Sequence, residues 1–445
     1  MNLRFYSTIL FVAIASSGFA QQAMSLKDCI NWGLQQNLKI KRAQMDLSNN
    51  RARVLEGVSA YLPQIQAMGT GVDNLQLQTM MMPPEFGALA GQPGVSLPVK
   101  FGKQFNSNGQ IQGQQTLYDQ TYISSIQAAR ESNKIFKTQI IKSEEEVIYD
   151  IATVFYQLQI TAEQKKLVEA NLSRISELAN VTKVSLDNGF SKQTDYNRLV
   201  VTKANLETDL QNVMLGYNQQ LMLLKFHMGM PLDQPIQLVT NNSPDVQSSL
   251  LSAEKFSPEN NVDVKLLQTN RKVNKILRSA TLAGYAPSIS FNANYGQLYQ
   301  ADDLKFAKAN WTPFSSIGLK VTVPIFDGLN KHWKAQQQKI QLQQLEIDEK
   351  LLKESLQMQN RNAQDKLSTN TAAVKSQNRN MELAEDVYKT TQLSYQQGMA
   401  SLSDLLNAET SLKESQVNYL NAMVQLKLAE LEILKTSGNI RSILN

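Results

Sequence analysis

With one cysteine and two histidines in 445 residues, the chain has little material for a disulfide, a soft-metal centre or a histidine-based catalytic site. Cys29 cannot pair within the chain. It falls with Ile30, Trp32 and Leu34 in a helical pattern, which reads as a small buried apolar residue. His227 and His332 stand apart, and no nucleophile motif, glycine-rich phosphate loop or paired ligand spacing accompanies them. No enzyme activity, cofactor or metal is therefore expected. Long apolar runs are also scarce: hydrophobic residues make up 42 % of the chain and the mean hydropathy is −0.32. Beyond the first twenty residues nothing approaches the roughly 20 apolar residues of a spanning helix. A chain of this kind either stays in water or crosses a membrane as strands. The net charge of +5 is too mild and too dispersed to imply a nucleic-acid partner.

What is present begins with an address. Arg4, the apolar run Ile9 to Ala15, and Gly18-Phe19-Ala20 form a charged start, a core and a small-residue cleavage site. Residues 1–20 are read as a secretory signal peptide. Gln21 follows the cut, so nothing suggests a lipid-anchored N-terminus.

The remainder repeats itself. Asn37 to Ile65 aligns without a gap to Asn261 to Ile289, matching Asn37 with Asn261, Lys41 with Lys265, Tyr61 with Tyr285 and Pro63 with Pro287. Leu117-Tyr118-Asp119 pairs with Ile325-Phe326-Asp327. Ser185, Gly189, Asp195 and Gly229 pair with Ser394, Gly398, Asp404 and Gly438. Three blocks in the same order imply a tandem duplication. The expected layout is a first repeat over 21–230, a Pro/Ser/Asn-rich connector over 231–260, a second repeat over 261–438 and a C-terminal tail over 439–445.

Each repeat carries the same textures: a helix, two strand-like segments and two long helices. Ser25-Leu26-Lys27-Asp28 reads as a capping box opening a helix that Pro63 stops, as Pro287 stops its counterpart. In Ile317 to Ile325, and again in Ile289 to Tyr295, apolar residues alternate with polar ones, the mark of a sheet with one apolar face. The first repeat shows this more weakly over Ile65 to Gly69 and Gly109 to Leu117. The insertion Met80 to Phe105, rich in Pro, Gly and Met, reads as a long exposed loop. Its Met80-Met81-Met82 run has thioethers that suit soft metal ions, but apolar loop filling is the plainer reading. Aromatic residues Tyr285, Phe291, Tyr295, Tyr299, Trp311, Phe314 and Phe326 gather around the second strand pair, as interfacial girdles would, although the strands of a soluble sandwich would look similar.

Glycine is absent between Gly113 and Gly189 and proline between Pro98 and Pro231; the second repeat is equally bare from Gly328 to Gly398. Gln120 to Leu186 is thus one helix, roughly 100 Å long at 1.5 Å per residue. Its narrow apolar stripes, such as Ile148, Ile151, Val154, Phe155 and Leu158, are those of coiled coils. Four strands cannot close a barrel, and an open edge in lipid leaves backbone groups unpaired. A barrel must then be shared between chains. Two chains would supply eight strands, which side chains fill, and three would supply twelve, which leave room for passage.

In their order, these residues resemble the TolC-type outer-membrane efflux proteins. The resemblance is carried by Ser25-Leu26-Lys27-Asp28 with Asn37, by Tyr61-Leu62-Pro63 and Tyr285-Ala286-Pro287, and by Val323-Pro324-Ile325-Phe326-Asp327-Gly328. The segments Gly189 to Asp195 and Tyr395 to Glu409 complete it. It implies a mainly α fold with a small transmembrane β part. A homotrimer would form a twelve-stranded β-barrel in the lipid of the cell outer membrane, continued by a long periplasmic α-helical barrel. It implies a passive channel of a tripartite efflux or type I secretion system, with a periplasmic adaptor and an inner-membrane RND or ABC transporter as partners. Gly189, Ser191, Gly398 and Ser401 would lie at the hairpin tips where the adaptor docks. Asp404, Asn407, Thr194 and Asp195 would line or hold the periplasmic aperture. Tyr61, Pro63, Tyr285, Pro287 and Pro324 would mark the junction of barrel and helices. Asp404 has a plainer reading as the acidic member of a capping box, compatible with the first. The family's arginine two residues after the second glycine is Ala400 here, so any lock on the aperture uses other contacts. The competing reading is a non-conducting periplasmic scaffold of coiled-coil rods.

Overall fold

A computed structural model describes residues 23–87, 91, 94–239, 256–303 and 311–444. The expected signal peptide lies outside them, as does much of the connector. The chain is mainly helical and divides into two units. One draws on the described residues up to Ala43, on Gln139–Lys265 and on the chain from Leu351 onward; the other comprises Gln44–Thr138 and Leu266–Lys350.

The opening helix is not continuous, contrary to expectation. Ser25 does cap it, accepting from Asp28 N at 3.2 Å while Asp28 Oδ2 accepts from Ser25 N at 3.0 Å. The helix then breaks at Asn37 into α1 (Leu26–Gln36) and α2 (Leu38–Ser59). Asn37 is extended, and its Oδ1 accepts from Lys39 N at 2.7 Å, so its side chain starts the second helix as the first ends. Asn261 does the same for α6 (Val262–Ala283), accepting from Asp263 N at 2.9 Å. Pro63 and Pro287 stand immediately before β1 (Gln64–Asp73) and β5 (Ser288–Ala301).

The supposed exposed loop after β1 has structure of its own. A short hairpin pairs β2 (Thr79–Met82) with β3 (Leu97–Lys100), and a single turn α3 (Pro84–Gly87) follows β2. Alternation is too short there to announce strands. The main sheet adds β4 (Phe105–Tyr118) and β6 (Thr312–Thr322) in the antiparallel order β1-β4-β5-β6. Strand β6 begins before Ile317 and stops at Thr322, so Val323 and Ile325 lie beyond it; Pro324, with no N–H to donate, cannot extend the ladder.

Asp119 and Asp327 then start the long helices α4 (Gln120–Asp187) and α7 (Asn330–Gln396). Asp119 Oδ1 accepts from Thr121 N at 2.9 Å, and Asp327 Oδ2 from Lys331 N at 3.2 Å. Each long helix turns back at a glycine into α5 (Gln193–Met228) or α8 (Leu402–Thr436). In the helical unit the core gathers Cys29 and Ile30 of α1, Ile148, Ile151 and Leu158 of α4, Leu224 and Met228 of α5, and Leu431 of α8. Cys29 is fully buried, and burial pushes its thiol pKa up to about 12, as befits an inert apolar filler. Near the C-terminus Ile440–Leu444 is a 3₁₀ turn that buries Ile440 in this core.

Candidate functional site

Register decides what the sheet offers. Opposed residues in antiparallel pairs share a face. Ile65 opposes Gly113, Gly113 opposes Ala293, and Ala293 opposes Ile317. The next rows on that face are Ala67, Ile111, Tyr295 and Ser315, then Gln115, Phe291 and Leu319. On the other face lie Gln64, Gln114, Asn292 and Gly318, followed by Gln66, Gln112, Asn294 and Ser316. In these rows one face is thus largely aliphatic and aromatic and the other is Gln, Asn, Ser and Gly, with Met68, Leu298, Phe314 and Lys320 among the residues farther along it. Ile65, Ile111, Tyr295, Ile317, Leu319 and Val321 are all exposed, Ile317 to 80 %. A contiguous apolar face left open is an unfilled contact. Strands β1 and β6 each pair on one side only, so both sheet edges are open as well. Among the described residues no helix is long and apolar enough to cross a membrane.

The junction residues anchor the sheet to its helices. Tyr61 donates its hydroxyl to the Asp119 carbonyl at 2.7 Å and packs edge-on against Tyr122. Lys331 Nζ lies 5.1 Å from the ring centre of Tyr285. Each tyrosine therefore touches the start of the long helix that follows its own strand pair. Pro324 sits between β6 and Asp327. Of the expected aromatic girdle, Tyr299 is buried against Trp311, with ring centres 5.5 Å apart, while Tyr285, Phe291, Tyr295, Trp311 and Phe326 are exposed.

At the opposite end of each helix pair the chain turns on Gly189 (φ 80°) and Gly398 (φ 74°), a left-handed conformation that suits glycine. Ser401 caps α8. Its Oγ accepts from Asp404 N at 3.2 Å, and Asp404 Oδ2 accepts from Ser401 N at 3.0 Å and Ser401 Oγ at 2.7 Å. These bonds hold the Asp404 carboxyl below its ordinary pKa. Asp404 is exposed, as is Asn407 one turn on. The first hairpin is less symmetric. Ser191 makes no cap: Lys192 occupies the N-cap of α5 without a side-chain bond, with Thr194 exposed and Asp195 half-buried in the first turn.

Contacts that sequence reading missed tie the two hairpins together. Arg198 of α5 donates to Ser403 Oγ of α8, three residues after Ala400. Lys413 Nζ of α8 meets Asp209 Oδ2 of α5 at 2.6 Å. Arg174 of α4 lies near the buried Glu409 of α8. Each pair joins residues some two hundred positions apart, and a single sequence holds no signal for such pairings.

Residues 259–439 match the family model described as "Outer membrane efflux protein". Across 436 residues the chain is 22 % identical to the toluene efflux pump outer membrane protein TtgC of Pseudomonas putida, covering 96 % of this chain and 86 % of the relative. The antibiotic efflux pump outer membrane protein ArpC of Pseudomonas putida matches at the same identity and coverage. The solved structure of CusC superposes with a TM-score of 0.73 at 16 % identity, covering 93 % of this chain and 92 % of that one. The outer membrane protein VceC of Vibrio cholerae gives 0.69 at 14 %, covering 93 % and 96 %.

Proposed function

We propose that the chain is a TolC-type outer-membrane efflux protein, the passive conduit of a tripartite efflux or type I secretion system. It resides in the cell outer membrane with helices reaching into the periplasm, and its family is one of channels, not of enzymes. The observation that carries the conducting role is the sheet: one face apolar and exposed, the other Gln- and Asn-rich, and both edges unpaired. In lipid an unpaired strand edge costs several kcal/mol for each unsatisfied backbone group. Edge β6 of one copy therefore pairs with β1 of the next. Three copies close a barrel of twelve strands with the apolar face toward lipid and the amide-rich face toward a wet lumen. The repeated order of helix, two strands and two helices supports a tandem duplication that supplies the helices continuing each strand pair.

At the hairpin ends, three copies of Asp404 would form a ring of like charge, a simple cation filter, with Asn407 beside it. Thr194 and Asp195 lie on the first hairpin facing the same task. Gly189, Ser191, Gly398 and Ser401 present the surface for a periplasmic adaptor, which links the conduit to an inner-membrane RND or ABC transporter. An amide-lined wall discriminates little, so selection of cargo falls to the transporter. The test is planar-bilayer recording from the purified protein. Discrete openings from a trimer are expected. A protein that neither trimerises nor inserts would instead be a periplasmic scaffold.

A further inference from the structure

Glu409 of α8 lies between two cavities near the hairpin ends. Its side chain is only 9 % exposed, and its Oε1 has no hydrogen-bond partner. Arg174 of α4 is the nearest cation, with Nε 3.8 Å from that oxygen and itself unpartnered. That separation is an ion pair without a hydrogen bond. Arg174 is engaged elsewhere: it donates to Asn171 Oδ1, and its guanidinium sits 5.5 Å from the ring centre of Tyr388 on α7. Lys413, one turn along α8, is tied to Asp209 of α5. Glu177 of α4 lines one of the same cavities and adds like charge. One cavity of about 230 Å³ is bounded by Asn171, Leu206 and Lys413, and the other, of about 430 Å³, by Val181, Tyr388 and Tyr395. Glu409 lines both. α8 therefore has room to shift at the point where it carries a poorly compensated buried charge.

We propose that Glu409 is a proton-sensitive tie between α8 and the helices α4 and α7, firm when its carboxyl is neutral and loose when it is charged. Burying an imperfectly paired charge opposes packing, and neutralising it removes that opposition. The direction of the titration agrees. Burial raises the Glu409 pKa, while Arg174 and Lys413 oppose the rise only in part. A carboxyl whose folded pKa lies above its unfolded value binds its proton more tightly when packed. Its contribution to packing is complete below the unfolded pKa and is lost as pH rises through the folded one. Acid thus secures the hairpin ends and neutrality loosens them. If the hairpin ends are the mouth of a channel, a consequence that rests on the proposed function, acid holds the mouth shut.

The test is hydrogen exchange of the Leu402–Leu412 amides in the purified full chain, corrected for intrinsic rates, between pH 7.5 and pH 5. In wild type, protection should rise as pH falls, by up to about tenfold per pH unit, the ceiling for one proton. Glu409→Gln should show the acid level of protection at pH 7.5 and no further dependence. Lower protection in Glu409→Gln than in wild type at pH 7.5, or an unchanged pH dependence, would overturn the proposal. Arg174→Gln provides an independent check, because loss of the compensating cation should move the midpoint to higher pH; an unmoved midpoint counts against the tie. Bilayer currents separate this from the channel reading. Exchange that behaves as described in a protein that inserts but never conducts would sink the channel and leave the tie standing. Fewer openings for Glu409→Gln than for wild type at pH 7.5 would support both.

Discussion

The side-chain amide of Asn37 donates to the backbone carbonyl of His227 at 2.6 Å, fastening the break between α1 and α2 to the last turn of α5. Asn261, which likewise stands before a helix, points its amide at the Thr436 carbonyl in the last turn of α8, 3.5 Å away. In both places the same side chain also starts a helix through its oxygen. One asparagine thus satisfies orphan groups at the ends of two helices.

Asn37→Ala removes the cap on α2 and leaves the His227 carbonyl without this donor. Loss of an N-cap costs about 1 kcal/mol, and an unsatisfied buried carbonyl about 1–3 kcal/mol more. Asn37→Asp keeps the acceptor for Lys39 N and loses only the donor, so it should fall between wild type and alanine. Denaturant melts of the three proteins check the order. Equal stability of the aspartate and alanine variants would mean the cap contributes nothing.

The partners of these asparagines include two glycines that cannot be replaced cheaply. Gly229 has φ 67°, and a Cβ there would stand 2.7 Å from the Gln36 carbonyl oxygen; Gly438 has φ 74°, with the Asn260 carbonyl oxygen 2.8 Å from such a Cβ. Both obstacles are backbone, which cannot swing aside. Gly229→Ala and Gly438→Ala should each lose more than the roughly 1–2 kcal/mol of left-handed backbone strain alone. Gly189→Ala meets only open space and should lose that strain and no more. Comparative thermal unfolding distinguishes the two classes.

Much of this was legible because it is local. The absence of glycine and proline over Gln120 to Leu186 marked α4 to within a residue, and the glycines at 189 and 398 marked its turn and that of α7. The Ser25 and Ser401 boxes were readable as four-residue motifs. The break at Asn37 was not, because apolar periodicity runs through it and its cap on Lys39 N is accompanied by a contact with His227 far along the chain. Strand β4 extends beyond its readable alternation, from Phe105, because pairing with β1 and β5 orders residues such as Asn106 and Asn108 that have low strand preference of their own. Arg198 and Glu409 stayed hidden for the same reason: their partners are set by tertiary packing.

The faces of the sheet make opposite predictions for neighbouring residues. Leu319 lies on the apolar face with Phe291, and Lys320 on the polar face with Ser290. An arginine on a lipid-facing strand costs about 2–4 kcal/mol near the bilayer midplane. Leu319→Arg should reduce recovery of inserted trimer from outer membrane, whereas Lys320→Glu should insert normally and alter ion selectivity. Normal insertion of Leu319→Arg would turn the sheet inside out relative to the proposal.

Asp404 has two roles that substitutions can separate. Its carboxylate closes the Ser401 capping box and, in a trimer, would contribute charge to a ring. Asp404→Asn retains an oxygen for the Ser401 and backbone donors and loses the charge. Ser401→Ala does the reverse, removing the hydroxyl of the cap and leaving the carboxylate. Cation selectivity, read from reversal potentials across a salt gradient, should fall in Asp404→Asn and persist in Ser401→Ala, while melting temperature should fall mainly in Ser401→Ala. The pH dependence adds a third check. Hydrogen bonds from Ser401 lower the Asp404 pKa, so its stabilising contribution is complete above the ordinary carboxyl value of about 3.9 and is lost as pH falls through the lowered one. Selectivity due to Asp404 should therefore hold constant from neutrality to about pH 5. Selectivity that faded over that range, with Asp404→Asn fading alike, would assign the filter to another residue.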